Sequence, residues 1–297
     1  RLTWHRDAPL SEPADVAVFR LAELARQHVK VVLSGEGSDE LFGGYPKHRY
    51  ARASALCARL PEPAAHMLRI IADGPWANRL GKARIALRAL SAGDERAILE
   101  TWFAPFTPAE RRSLLQAAAR RPGAALVPGH GDALRRMLRA DCQVWLSDNL
   151  LERGDRMSMA ASLELRPPFL DVRVVETAFA LPSSAKVRER CGKWVVKEIA
   201  RELLPAGIAD RPKSGFRVPL ARWFRGSLRE LARSRLLDPQ SLATQIFERR
   251  FVEKLVDDHV RGVRNEDIRI WTLLGLEVWH TRFFRSGHAA SSAADAA

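Results

Sequence analysis

Val29-Lys30-Val31-Val32-Leu33-Ser34-Gly35-Glu36-Gly37-Ser38-Asp39-Glu40-Leu41-Phe42-Gly43-Gly44-Tyr45 is the stretch that decides the fold. It opens as a short β-branched apolar run, a composition that favours a buried strand with glycines as punctuation. It closes on Ser38-Asp39-Glu40, which reads as a helix start: Ser38 as N-cap, with two acids in the first turn near the positive dipole end. Gly35 and Gly37 lie between, where glycine lets backbone N–H groups come close to a ligand. Strand, glycine turn and helix start together make the usual ligand-binding edge of a parallel α/β sheet. Three carboxylates, Glu36, Asp39 and Glu40, fall within five positions of that edge. Carboxylates bind phosphate poorly, but they hold Mg²⁺, which phosphates also bind. Taken alone, a Gly-x-Gly turn and an Asp-Glu helix start fit ordinary capping as well as a nucleotide or metal site.

At 297 residues the chain suits one large domain or two small ones. With 46% hydrophobic and 28% charged residues it can build a substantial core, which excludes global disorder. No apolar run approaches the roughly 20 residues of a membrane span. The net charge of +13 raises a nucleic-acid reading. The basic residues are spread along the chain with acids nearby, as in Ala109-Glu110-Arg111-Arg112, so they read as solvated helix faces and polynucleotide binding is not expected. Cys57, Cys142 and Cys191 are far apart and odd in number, offering neither a metal spacing nor a disulfide framework. Inert thiols in a reducing cytoplasm follow.

Residues 1–9 read as a lead-in, and Ser11 as the cap of a helix with Glu12, Pro13 and Asp15 in its first turn. That helix feeds the Val29–Leu33 strand. A helix before a buried parallel strand is half of a βαβ unit, so the partner strand is expected upstream of Arg1. The chain also opens without Met, which adds to the expectation that it is the back part of a longer protein. Residues 64–140 read as helices joined by short turns, including a Thr107-Pro108-Ala109-Glu110 cap, with Gly123–Asp132 as an exposed loop. From Asp141 to Asp171, charges alternate with small and apolar residues and cannot all face water. Asp155, Arg156, Glu164 and Arg166 are therefore expected to pair internally or to contact a ligand. Pro167 is read as the end of that helix and Asp171 as the cap of the next. Arg211, Lys213 and Arg217 crowd a Gly/Pro loop, which suits a polyanion such as pyrophosphate or, equally, a solvated surface turn. The rest is helical to about Phe284, and residues 286–297 are Ser/Ala-rich and read as a disordered tail.

The string Ser34 to Tyr45 closely resembles the second ATP-site motif of the asparagine synthetase family, glutamine-dependent amidotransferases that activate a carboxylate with ATP. The Asp155-Arg156, Met157-Ser158-Met159 and Glu164-x-Arg166 to Asp171 run resembles a second family pattern. Arg211-x-Lys213-x-Gly215-Phe216-x-x-Pro219 resembles a third, and the helix around Arg269 to Trp279 resembles the family's terminal packing helix. The resemblance spans about Asp7 to Phe284. It implies an α/β, helix-rich fold: the C-terminal part of an ATP-pyrophosphatase parallel-sheet domain joined to a large helical portion, all within one unit over residues 1–285.

By the same resemblance the cofactors are ATP and Mg²⁺. Ser34, Gly35, Gly37 and Arg211 would bind ATP, and Asp39, with Glu40 as a weaker candidate, would hold the metal. Glu36 would support formation or aminolysis of an acyl adenylate, and Lys213 would screen charge on the reacting phosphate. Asp155, Arg156, Glu164 and Arg166 would wall the acceptor site. The substrates would be aspartate or another carboxylate, ATP, and ammonia from glutamine delivered by an N-terminal glutaminase domain; a homodimer is left open. The family's first nucleotide motif, Ser-Gly-Gly-x-Asp-Ser, and a leading nucleophilic Cys are absent from these residues, so the chain by itself is expected to be inactive or nearly so. Asparagine synthesis is the favoured activity. The same chemistry on another carboxylate (polysaccharide tailoring, peptide cyclisation or β-lactam closure) is the second reading, and a helical scaffold with a dead site is the third.

Overall fold

The structure is a computed structural model that describes residues 1–74, 82–119, 129–189, 191–211 and 218–285. The chain begins with helices Leu2–Arg6 (α1) and Ala14–Arg26 (α2), strand Val31–Leu33 (β1) and the short helix Ser38–Phe42 (α3). Helices Ala51–Cys57 (α4), Glu62–Asp73 (α5), Lys82–Leu90 (α6), Glu95–Thr101 (α7) and Pro108–Leu114 (α8) follow. Ala133–Ala140 (α9) and Glu152–Met159 (α10) are the ends of one continuous helical rod whose middle, Asp141–Leu151, is π-helical. Strand Glu164–Arg166 (β2) leads to Val172–Ala180 (α11), Ser183–Lys186 (α12), a hairpin of Val187–Arg188 (β3) and Cys191–Gly192 (β4), and Trp194–Leu203 (α13). Leu220–Arg225 (α14), Arg229–Leu237 (α15), Leu242–Ile246 (α16), Arg249–Val260 (α17) and Asp267–His280 (α18) complete the fold.

This is a helix-rich α/β arrangement with a small parallel sheet. β1 pairs β2 in parallel, Val31 opposite Glu164 and Leu33 opposite Arg166. β1 thus has a downstream neighbour that the βαβ argument does not supply, since that argument concerns a strand upstream of Arg1. The same finding corrects the reading of Pro167 as a helix end. α10 stops at Met159, and Ser162, at φ +56, turns the chain into β2. The Val29–Leu33 run is not buried either: Val31 is 41% exposed and Leu33 74%. The described residues cover this run only in part, so apolar composition marked a strand without giving its depth. Residues 1–9 are more than a lead-in, since α1 occupies most of them, and α2 starts at Ala14 with Pro13, not Ser11, at its cap.

Three apolar clusters hold the helices. Leu220, Phe224, Leu236, Val252, Val256, Ile270 and Leu273 centre the C-terminal one, with Phe106 and Leu114 packed in from the α7–α8 region. Leu99, Leu134, Met137 and Leu138 form the second. Leu41, Phe42 and Ala178 form the third, backed by Val174, Val195 and Val196, and this one fixes α3 against α11 and α13. The capping box at Thr107 is present, its hydroxyl accepting from the Glu110 N–H and the Glu110 carboxylate accepting from the Thr107 N–H. Asp171 caps α11 as read from the sequence. The three cysteines are free and half-buried, and burial pushes the Cys142 thiol up to about 12, which keeps it protonated and unreactive. No described helix is long and apolar enough to cross a membrane. The tail 286–297 and most of the Gly123–Asp132 loop lie outside the described residues.

Two contacts tie the N-terminal helices down. Gly275 on α18 meets the backbone of Leu10 so closely that a Cβ there would stand 2.3 Å from the Leu10 carbonyl oxygen. Gly275→Ala should therefore cost about 1–3 kcal/mol in urea unfolding, because backbone has to move to admit the methyl; an unchanged midpoint would contradict the packing. Between α1 and α2, Arg6 Nη1 donates to Asp15 Oδ2 at 3.3 Å, with both side chains almost wholly buried. Burial wins over Arg6 and Arg153 at this carboxyl and pushes it from 3.8 up to about 6. Between those values the folded chain binds a proton that the unfolded chain has released, so Asp15 subtracts stability as pH rises from about 4 to about 6. Asp15→Asn removes that slope. Urea unfolding across the window should show the wild type losing stability relative to the variant as pH rises; a relative gain would show that Arg6 dominates instead.

Candidate active site

β1 delivers the site. Pairing runs one residue past the strand, with the Ser34 N–H donating to the Arg166 carbonyl at 2.9 Å. The turn that follows is closed by Gly37 at φ +85, and it is Gly37, not Ser38, that occupies the N-cap position of α3. Ser38 becomes the first helical residue and is buried. α3 lasts five residues and ends on Gly43 at φ +77. Its inner face, Leu41 and Phe42, is held by the third cluster, which leaves Asp39 at the mouth of the turn.

Asp39 meets Lys193. The Lys193 ammonium lies 2.9 Å from Asp39 Oδ1, in a pair about one-quarter exposed. Backbone geometry enforces this meeting. A Cβ on Gly192 would stand 2.3 Å from the Gly43 carbonyl oxygen, and the Lys193 N–H donates to the Phe42 carbonyl at 3.1 Å. A Cβ on Gly44 would overlap both partners, 1.7 Å from Asp39 Oδ1 and 2.4 Å from Lys193 Cε. Lys193 itself sits at φ +55, a left-handed conformation uncommon outside glycine. A cation immediately before a helix also opposes the dipole of α13. Of these two features only the cation at the start of a helix is legible in the sequence; the left-handed backbone appears only in the fold.

Glu36 lies on the other side of the turn. Its carboxylate packs on Gly154 of α10, where a Cβ would stand 2.7 Å from Oε2. Oε2 is buried and has no hydrogen-bond partner among the described residues, and the same holds for Ser34 Oγ. Burial pushes the Glu36 carboxyl above the usual range; Arg153 pulls it back and Glu40 pushes it further up. The Ser34 hydroxyl pulls with Arg153 but lacks hydrogen-bond geometry to any described group.

Glu40 turns inward. It is 1% exposed and accepts a hydrogen bond from the Tyr45 hydroxyl, which in turn accepts from Trp145 Nε1 at 3.2 Å. Trp145 stacks on Phe103 at 3.9 Å between centroids, and the Lys47 ammonium stands 3.8 Å from the centre of the Phe103 ring while pairing with Asp141. His48 closes the group: its Nδ1 accepts from the Tyr45 N–H at 3.2 Å, so Nε2–H donates to Asp141 at 2.8 Å. Burial lowers the His48 pKa, in keeping with that neutral tautomer. This is a structural support under the Gly43–Tyr45 turn, and it uses the Glu40 carboxylate as an internal acceptor, not as an open metal ligand.

The four charges expected to be buried, Asp155, Arg156, Glu164 and Arg166, are all exposed. α10 buries Gly154, Met157 and Ser158 and turns Asp155 and Arg156 outward; β2 points Glu164 and Arg166 to the same side, where Arg166 Nε donates to Glu164 at 2.7 Å. The partly hidden cation of this stretch is Arg153, 14% exposed and facing Asp15. Arg211 is exposed. Lys213 lies outside the described residues, so its expected place beside Glu36 and Asp39 is not visible.

The family model described as asparagine synthase matches residues 1–281. The chain is 33% identical over 288 residues to a Mycobacterium bovis protein named "Putative asparagine synthetase [glutamine-hydrolyzing]", covering 95% of the chain and 44% of that protein. It is 29% identical over 286 residues to asparagine synthetase [glutamine-hydrolyzing] 1 of Bacillus subtilis, covering 95% and 45%. With asparagine synthetase [glutamine-hydrolyzing] 3 of the same organism it shares 28% over 211 residues, covering 71% and 30%. The chain thus spans less than half the length of these relatives. A match over nearly all 297 residues, falling on a strand-tip turn whose acidic and basic side chains converge, places the chain in the asparagine synthase family.

Proposed function

We propose that these residues form the carboxylate-activating part of an ATP-dependent amidotransferase, with an ATP-pyrophosphatase-type fold, that converts aspartate to asparagine. The observation that carries the reading is the Asp39–Lys193 pair set beside the half-buried Glu36 carboxylate at the tip of β1, whose Oε2 has no hydrogen-bond partner among the described residues. A carboxylate is a poor electrophile. Attack of its oxygen on the α-phosphorus of ATP forms a mixed carboxylic–phosphoric anhydride bond and breaks the bond to pyrophosphate. Ammonia then attacks the acyl carbon, AMP leaves, and the nitrogen gives up a proton.

Each residue has a task in that sequence. Ser34 and the backbone of Gly35 and Gly37 would face the nucleotide, and the Ser34 hydroxyl, without a hydrogen-bond partner among the described residues, suits a phosphate or ribose oxygen. Lys193 places an ammonium where negative charge accumulates on the phosphates. It would share the charge-screening role proposed for Lys213, its own position being fixed by the Gly43–Gly192 approach. Glu36, its pKa raised by burial, suits the proton released from nitrogen. Arg153 adds a partly hidden cation to the exposed Asp155, Arg156, Glu164 and Arg166 proposed as the wall of the acceptor side. Among the described residues no cluster of three or more His, Cys, Asp or Glu could hold a metal alone. Asp39 by itself fits Mg²⁺, which commonly takes one or two carboxylates and completes its shell with phosphate and water. When bound, that ion neutralises the departing pyrophosphate. Ammonia would come from glutamine hydrolysed elsewhere in the whole protein, in the cytoplasm. The 297-residue polypeptide alone is proposed to be inactive, since it carries no Ser-Gly-Gly-x-Asp-Ser phosphate loop.

Protein made from the complete reading frame that encodes these residues should release AMP and pyrophosphate from ATP only when aspartate is present. Glu36→Gln and Lys193→Met should each lower that rate by about 10²-fold or more. Release of ADP, or a rate indifferent to aspartate, would contradict the reading.

A further inference from the structure

We propose that Asp15 is a positioning residue for Glu36 and acts through Arg153: its carboxylate, clamped by Arg6, fixes the Arg153 guanidinium between α2 and α10 and so sets how much of that charge falls on Glu36. The proposal rests on the reading of Glu36 as a working residue of the site. Asp15 is fully buried and Arg6 is 4% exposed. Arg6 Nη1 reaches Asp15 Oδ2 at 3.3 Å. Asp15 Oδ1 faces Arg153 Nε at 4.0 Å, beyond hydrogen-bond length. Neither of those two atoms has a hydrogen-bond partner among the described residues. Arg153 is thus held by attraction without being saturated, and Gly154, the next residue, bears the Glu36 carboxylate.

The count of charges makes the arrangement sensitive. Two guanidiniums, Arg6 and Arg153, face three carboxyl groups, Glu12, Asp15 and Glu36, and all three carboxyls have raised pKa values. Around Asp15 stand Arg6 from α1, Arg153 from α10 and Glu12 from the turn before α2. Around Glu36 stand Arg153 from α10, Glu40 from α3 and the Ser34 hydroxyl. Arg153 is the one cation common to both sets, and Asp15 is not among the charges that reach Glu36 directly. Arg153 is therefore the route by which Asp15 acts on Glu36 in this proposal.

The test is the titration of Glu36 itself, read by carbon NMR on chain labelled at glutamate carboxyl carbons, free of metal and nucleotide, with the signal assigned by Glu36→Gln. Arg153→Gln should raise the Glu36 midpoint. Asp15→Asn should lower it, by about half a pH unit or more, because Arg153 then turns its whole charge toward Glu36. In the double variant the midpoint should match that of Arg153→Gln alone. A general loosening of the fold would move both single variants in the same direction. The proposal is overturned if Asp15→Asn leaves the midpoint unmoved, or shifts it equally when Gln stands at 153. Should Asp15→Asn not fold, the wild-type curve decides: the Glu36 signal should show a second step near pH 6 as Asp15 titrates, and a single step would overturn the coupling. No turnover is needed, so failure here leaves the amide-forming reading standing, and failure of that reading leaves this coupling measurable.

Discussion

The approach of two backbone segments, Gly43-Gly44 against Gly192-Lys193, is the constraint on which the rest of the site depends. No side chain fits at 44 or 192 without displacing a carbonyl or the ion pair itself. The approach lets a lysine that opens one helix place its ammonium on an aspartate in the first turn of another, although they are 154 positions apart in the chain. The cost is visible as a left-handed lysine with its charge at the wrong end of α13. Such strain persists only where surrounding packing over-determines it. Here the apolar cluster of Leu41, Phe42, Ala178 and Val196 does so from behind.

The two sides of the strand-tip turn have opposite electrostatic characters. On the Asp39 side a cation and an anion meet at a partly exposed surface, where each remains available to a charged ligand. On the Glu36 side the carboxylate is half-buried, and its Oε2 has no hydrogen-bond partner among the described residues. Burial raises its proton affinity, and Arg153 limits the rise. One face thus suits holding phosphate and the other suits handling a proton. The two demands are met within a few residues because a glycine turn separates them.

Much of this was legible in the sequence. The strand-turn-helix at residues 31–42, the Thr107 and Asp171 caps, α13 and α18 all lie where periodicity and capping chemistry put them. Glu36 and Asp39 flank the turn on opposite sides, one packed on Gly154 and the other paired with Lys193. What escaped was non-local. Three residues of β2 are too short to announce a strand, and pairing with β1 across more than a hundred positions is a tertiary choice. The four charges of the Asp155–Arg166 stretch face water because each pairs locally or is solvated, while Arg153, unremarkable in the string, turns toward Asp15. Lys193 was hidden because its role comes from a glycine contact that no local pattern encodes.

The central claim is that the Lys193 ammonium receives the phosphates of ATP beside the Mg²⁺ that Asp39 would hold. Acylation footprinting of lysines in protein made from the complete reading frame, with and without Mg²⁺ and ATP, tests it most directly. The account predicts that Lys193 is protected several-fold by the nucleotide while Lys197, one turn along α13, keeps its rate. Equal reactivity of Lys193 in both states would contradict it.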